Sequence, residues 1–216
     1  MIIDVPTTLG PGRLTVSSAA APRAVLWLGH GAGGGIGAVD LAALADQLPA
    51  LGFTVARYEQ PWRVAGKKIA PRPATLDIAW RETAAALTEL AHGLPVIVGG
   101  RSAGARVACR TADDLGAAAV LCLAFPLHPP GKPEATRLPE LLTPKVPTLV
   151  LQGDRDTFGT AADIEREVGA SETVRVVVVP GADHSMKVLA SSPLTATDVA
   201  TLVTASVAEF IGDVLS

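Results

Sequence analysis

The chain has 216 residues, 49% of them hydrophobic and 4% aromatic, enough for one α/β domain around a single core. A formal net charge of −3 gives no electrostatic reason to bind nucleic acid or an anionic membrane, and both are excluded as partners at this level. No apolar run approaches the ~20 residues of a membrane-spanning helix, and Met1-Ile2-Ile3-Asp4-Val5-Pro6 lacks the basic and apolar regions of a signal peptide.

Short β-rich runs alternate with helical patterns along the chain. Strands are expected at 13–17 and 24–28, a helix at 39–51, a strand at 54–58, a helix at 76–92 and a strand at 95–99. A helix at 103–111 follows, then strands at 119–124 and 148–152, a helix at 161–168, a strand at 174–179 and a helix at 195–214. Asp40 and Asp77 lie near two helix starts, and Gly52 and Gly93 follow two helix ends. Several strands are apolar throughout, as in a parallel sheet covered on both faces. The alternation predicts an open, doubly wound, mostly parallel α/β sheet, which binds ligands beyond the carboxyl ends of its strands. Cys109 and Cys122 are isolated, without metal-ligand spacing, and read as buried thiols in a reducing, cytoplasmic setting.

The chemistry is concentrated at strand ends. Gly100-Arg101-Ser102-Ala103-Gly104 reads G-x-S-x-G between a strand and a helix, a turn that lifts one hydroxyl above the sheet and makes Ser102 the candidate nucleophile. Gln152-Gly153-Asp154-Arg155-Asp156 follows the strand at 148–152, and Gly181-Ala182-Asp183-His184 follows the last strand. The order is Ser, Asp, His. A serine hydroxyl needs an imidazole to take its proton, and the imidazole needs a carboxylate to hold its tautomer. His184 is the candidate base and Asp156 the chosen acid, with Asp154 as the alternative. Asp183 adjoins His184 too closely to reach its Nδ1. Taken singly, each has a structural reading: Ser102 as a helix cap, His184 as a surface histidine, the aspartates as solvated loop carboxylates.

Leu28-Gly29-His30-Gly31-Ala32-Gly33-Gly34-Gly35 follows the strand at 24–28. The N–H groups of Ala32 and Ala103 are expected to form an oxyanion hole, with His30 orienting the loop and a candidate pocket residue as well. The same stretch also matches G-x-G-x-x-G, with Glu59 near the place of a ribose-binding acid. A dinucleotide-binding reading leaves Ser102, Asp156 and His184 unexplained, and a strand already precedes this one.

On these residues the chain resembles the α/β-hydrolase superfamily, near the dienelactone-hydrolase-like branch. It is most similar to a family of small bacterial and eukaryotic α/β hydrolases. The resemblance rests on the motifs above, on Phe125-Pro126-Leu127-His128-Pro129-Pro130-Gly131-Lys132-Pro133 and on Gln152-Gly153-Asp154-Arg155-Asp156-Thr157-Phe158-Gly159. It implies one α/β-hydrolase domain over 1–216, the set Ser102, Asp156 and His184, and no metal or organic cofactor. The expected partner is a small acyl substrate, an ester or thioester; nothing in the sequence fixes an oligomeric state. Some eukaryotic relatives are subunits of chromatin-modifying assemblies, so a binding or scaffold role is the second reading.

The proline-rich segment 125–147 stands where many α/β hydrolases carry a lid and implies a small or open site, with His128 as a candidate wall. Arg57, Arg63, Lys67, Lys68 and Arg72, with Trp62 among them, form a basic loop expected to border the site and favour anionic acyl substrates.

Overall fold

The computed structural model describes all residues from 1 to 216 except Pro133, so the last residue of the motif that begins at Phe125 lies outside the described residues. Eight strands form one sheet: β1 (Ile2–Val5), β2 (Gly12–Ser17), β3 (Ala24–Gly29), β4 (Phe53–Glu59), β5 (Val96–Arg101), β6 (Ala119–Leu123), β7 (Thr148–Gly153) and β8 (Val174–Val179). Their spatial order is β1-β2-β4-β3-β5-β6-β7-β8. The β1/β2 and β2/β4 pairs are antiparallel, and the rest are parallel. The expectation of a doubly wound, mostly parallel sheet therefore holds. β1 has no counterpart among the expected strands: it has four residues, three of them not buried, and too little alternation to register as a strand.

The helices are α1 (Val39–Gln47), α2 (Pro61–Val64), α3 (Pro73–Glu82), α4 (Ala84–Ala91), α5 (Ala103–Thr111), α6 (Leu138–Leu141), α7 (Ala161–Val168) and α8 (Ala196–Val214). One face of the sheet is covered by α1 and α8, whose Leu41, Leu44, Val203 and Ile211 are fully buried. On the other face α3, α4, α5 and α7 pack, with Trp80, Val107 and Ile164 inward. Central strands β3, β6 and β7 are buried at every residue, which explains their unbroken apolar runs. Trp27 of β3 stacks on Trp80 of α3 at 3.9 Å between ring centres. Truncating either buried ring would cost about 3–5 kcal/mol. No helix among the described residues is long and apolar enough to cross a membrane.

Two expected helices differ in the structure. The helix expected at 76–92 is broken at Thr83: its hydroxyl donates to the Ala79 carbonyl at 2.9 Å and its N–H to Trp80 rather than Ala79. A side chain competing for the i−4 carbonyl tightens that turn and separates α3 from α4. The helix expected at 39–51 stops at Gln47 and continues as a 3-10 turn, Leu48–Leu51, because Pro49 has no N–H to donate. The acids near the starts of α1 and α3 do not cap them: Asp40 pairs with Arg101 and Asp77 with Arg110. Capping boxes stand instead at Thr160/Asp163 and Thr195/Asp198.

Candidate active site

The turn after β5 carries Ser102 in an unusual backbone conformation, φ 52° and ψ −108°. A non-glycine residue there is strained, and two contacts hold it: the Ser102 N–H donates to Leu123 at the end of β6, and its carbonyl accepts from Arg106 in α5. The flanking glycines are required by close backbone approach. A Cβ on Gly100 or on Gly104 would strike the Gly29 carbonyl oxygen of β3. Removing both side chains lets β3, β5 and the start of α5 meet at one point.

His184 and Asp156 converge on that serine from the ends of β8 and β7. His184 Nε2 lies 3.0 Å from Ser102 Oγ, and His184 Nδ1 lies 2.8 Å from Asp156 Oδ2. The Asp156 side chain is fully buried. With a carboxylate at Nδ1, that nitrogen carries the proton and donates it, leaving Nε2 to accept from the serine hydroxyl. The other two acids are engaged elsewhere. Asp154 Oδ1 accepts the Gly181 N–H at 2.8 Å, and Asp183 Oδ1 accepts from the N–H groups of Ser185 and Lys187. Both shape the loops that bring His184 inward.

Three groups in this arrangement had no assigned role in the sequence reading. Gln152, fully buried at the end of β7, donates from Nε2 to Asp156 Oδ2 at 2.9 Å and to the Gly159 and Phe125 carbonyls. The Phe158 N–H donates to Asp156 Oδ1 at 2.8 Å, and the Phe158 ring packs 4.4 Å from the His184 ring. Arg101 extends beneath the site: Nη1 donates to Asp40 Oδ2 at 3.0 Å, and Nη2 donates to the His184 carbonyl. The Gln152-to-Gly159 motif contains the first two, so its spacing was the available signal. The Asp40–Arg101 pair spans 61 residues and leaves no local signature.

A cavity of about 570 Å³ opens beside Ser102 and His184. The glycine-rich loop after β3 forms one wall, including Ala32, and Ala103 lies at its floor. Among the described residues, neither the Ala32 nor the Ala103 N–H has a backbone acceptor. Ala103 is the first residue of α5, where the N–H is free of the helix ladder. The opposite wall comes from segment 125–137 through Pro126, Pro130 and Arg137.

Four residues expected to line this cavity do not, and each is corrected by its contacts. His30 is buried behind the glycine loop; its Nδ1 donates to the Gly31 carbonyl and its Nε2 accepts from the Gln60 N–H. Burial lowers its pKa, which keeps the ring neutral. Trp62 is buried beside it, with ring centres 5.5 Å apart. Arg63 packs against Gly35 from outside the cavity lining. His128 faces the other way, with Nδ1 donating to the Ala135 carbonyl and Nε2 3.8 Å from Glu167. The remaining basic loop residues also stay off the cavity wall: Arg57 holds the glycine loop through the Ile36 carbonyl, while Lys67, Lys68 and Arg72 are exposed.

A serine, a buried aspartate and a histidine thus follow β5, β7 and β8 in that chain order and meet beyond the carboxyl ends of these strands. The sequence profile of the alpha/beta hydrolase domain family matches residues 22–212, and the chain belongs to that family. Its glycine loop therefore serves a hydrolase fold, and the dinucleotide-binding reading is set aside. No curated protein sequence matches significantly. Among solved structures, a serine hydrolase homologue from Coxiella burnetii is similar at 16% identity, with a TM-score of 0.77 over 95% of this chain and 96% of that one. A lidless serine hydrolase from Xanthomonas campestris is similar at 18% identity and a TM-score of 0.76, over 97% of this chain and 94% of that one. Est1E from Butyrivibrio proteoclasticus gives 12% identity and a TM-score of 0.72, over 98% and 99%. At these identities the likeness is one of fold.

Proposed function

We propose that this protein is a serine hydrolase that cleaves a small carboxylic ester or thioester through an acyl-enzyme. The observation that carries the reading is the unbroken chain from Asp156 through His184 to Ser102, with contacts of 2.8 and 3.0 Å. Ser102 Oγ attacks the carbonyl carbon while His184 Nε2 takes its proton. The carbonyl oxygen becomes an oxyanion between the N–H groups of Ala32 and Ala103. Asp156 holds the ring and stabilises the imidazolium; Gln152 and the Phe158 N–H hold Asp156. As the tetrahedral intermediate collapses, His184 returns the proton to the departing alcohol or thiol. Water, deprotonated by His184, then attacks the acyl-serine, and the acid leaves as Ser102 regains its proton. A non-catalytic scaffold has no use for a strained serine aligned on a histidine. A cytoplasmic location fits two buried free thiols, Cys109 and Cys122, whose sulfurs lie 3.4 Å apart without a bridge.

The test is pre-steady-state hydrolysis of 4-nitrophenyl acetate. The proposal requires a burst of about one equivalent of nitrophenolate and one acetyl group on the Ser102 peptide. Turnover that persists undiminished in Ser102→Ala would refute it.

A further inference from the structure

The cavity beside Ser102 is one-sided in charge. Arg101, Arg106, Arg137 and Lys187 line it, and no aspartate or glutamate does. Two of these cations are compensated from behind. Arg101 is paired with Asp40, and Arg106 forms a two-pronged pair with Glu140 at 2.6 and 2.8 Å. Arg110 shares Glu140 and binds Asp77, so that cluster balances two cations with two anions.

Arg137 is different. Its Nη1 donates to the carbonyls of Pro126 and His128 at 3.1 and 3.2 Å, which fixes the guanidinium in place. Among the described residues it has no carboxylate partner. Its Nε and Nη2 groups remain as a flat edge of donors, the shape that holds both oxygens of a carboxylate. Burial, then the neighbouring Arg106, makes its charge harder to keep; Glu140 partly opposes them, and Arg110 adds to them. An anion there would relieve that repulsion. Lys187 also lines the cavity, on the turn closed by Asp183, exposed and without an ion pair among the described residues. The cavity volume equals a sphere roughly 10 Å across, room for a short acyl group with a second charged end.

We propose that Arg137, assisted by Lys187, forms a carboxylate-binding subsite, so that the substrate class is the half-ester or half-thioester of a small dicarboxylic acid. This rests on the serine hydrolase reading above. It replaces the basic loop around Lys67 and Lys68 as the source of anion preference.

The experiment compares 4-nitrophenyl hemiglutarate with a neutral ester of the same carbon-chain length, 4-nitrophenyl pentanoate, on the full chain. The parent prefers the hemiester in kcat/KM. In Arg137→Met that preference falls about 10- to 100-fold, mostly through KM, as expected for loss of a hydrogen-bonded charge. Arg137→Lys keeps part of the preference because it keeps the charge without the fork. Because Arg137 also ties down segment 126–128, Lys187→Gln on the exposed rim is the second variant, expected to lower the preference about 2- to 5-fold. Glutarate should also slow fluorophosphonate labelling of the parent more than inorganic phosphate does. Equal losses on both esters in Arg137→Met, or a parent with no hemiester preference, would overturn the subsite. Stronger protection by phosphate would overturn the carboxylate assignment. A parent that turns over pentanoate but not hemiglutarate refutes only this proposal, whereas a parent that hydrolyses neither and resists the fluorophosphonate refutes the hydrolase reading as well.

Discussion

Replacing Arg101 by methionine isolates the buried support under the histidine loop. Methionine keeps most of the length of the side chain and removes its charge and donors. In the parent, the Asp40 carboxylate is fully buried, its only cationic partner among the described residues is Arg101 at 3.0 Å, and Oδ1 accepts the Leu41 N–H. Burial already raises the pKa of Asp40 above its ordinary value, with Arg101 opposing that rise. Without Arg101 the pKa must climb further. Breaking a buried pair by removing one partner costs about 3–5 kcal/mol. At about 2–4 °C per kcal/mol for a chain of this size, Tm should fall by roughly 6–20 °C. The pH dependence gives the sharper test. A carboxylate whose folded pKa is raised holds its proton better folded than unfolded. Stability therefore falls as pH rises from the ordinary value of 3.8 through the folded pKa. The penalty of Arg101→Met should be largest above that window and shrink as pH drops through it. Urea melts of parent and variant at matched pH between about 4 and 8 measure it, and the difference cancels groups common to both. Adding Asp40→Leu to the variant should recover much of the loss. A penalty that is constant with pH, or one below about 1 kcal/mol, would refute the reasoning.

Asp156→Asn should lower kcat for an ester by about 10³- to 10⁴-fold, because asparagine does not hold His184 in the required tautomer, and should cost about 1–3 kcal/mol of stability, because its amide N–H₂ faces a donor, Gln152 Nε2 or the Phe158 N–H; steady-state kinetics and denaturant melts check this. Gly104→Ala puts a methyl against the Gly29 carbonyl and should destabilise the protein by about 1–3 kcal/mol in denaturant melts, while an alanine at open Gly33 should be tolerated. His30 is buried neutral with a lowered pKa, so its contribution is complete above its ordinary value of 6.5 and is lost as pH falls toward the folded pKa. His30→Gln should flatten that part of the stability–pH curve.

The parallel strands were legible because each is a short β-rich run between turn signals; the central β3, β6 and β7 are buried on both faces, whereas the edge strand β8 is buried only at Val179. Ser102, Asp156 and His184 were legible because each follows such a strand at its carboxyl end. Asp154 sits close to the strand end, and that position together with the family resemblance favours Asp156; in the structure Asp154 is taken up by the Gly181 N–H. The helix break was hidden because Thr83 suits a helix until its hydroxyl turns to Ala79. Which cations face the cavity was not legible. That depends on pairings such as Arg106 with Glu140, 34 residues apart, and Arg101 with Asp40, which local sequence does not encode. The basic loop around Lys67 leaves the carboxyl end of a strand, which suggests a place beside the site, whereas Arg137 is set apart by the lack of a carboxylate partner among the described residues.

The central claim is that His184 and Asp156 activate Ser102. The most direct measurement is covalent labelling of the purified protein with a fluorophosphonate, beside Ser102→Ala and His184→Ala, with the modified peptide identified by mass spectrometry. The account predicts stoichiometric modification of Ser102 in the parent, none in Ser102→Ala, and labelling slowed by about 10³-fold or more in His184→Ala. A folded parent that stays unlabelled, or one labelled equally fast without His184, would contradict it.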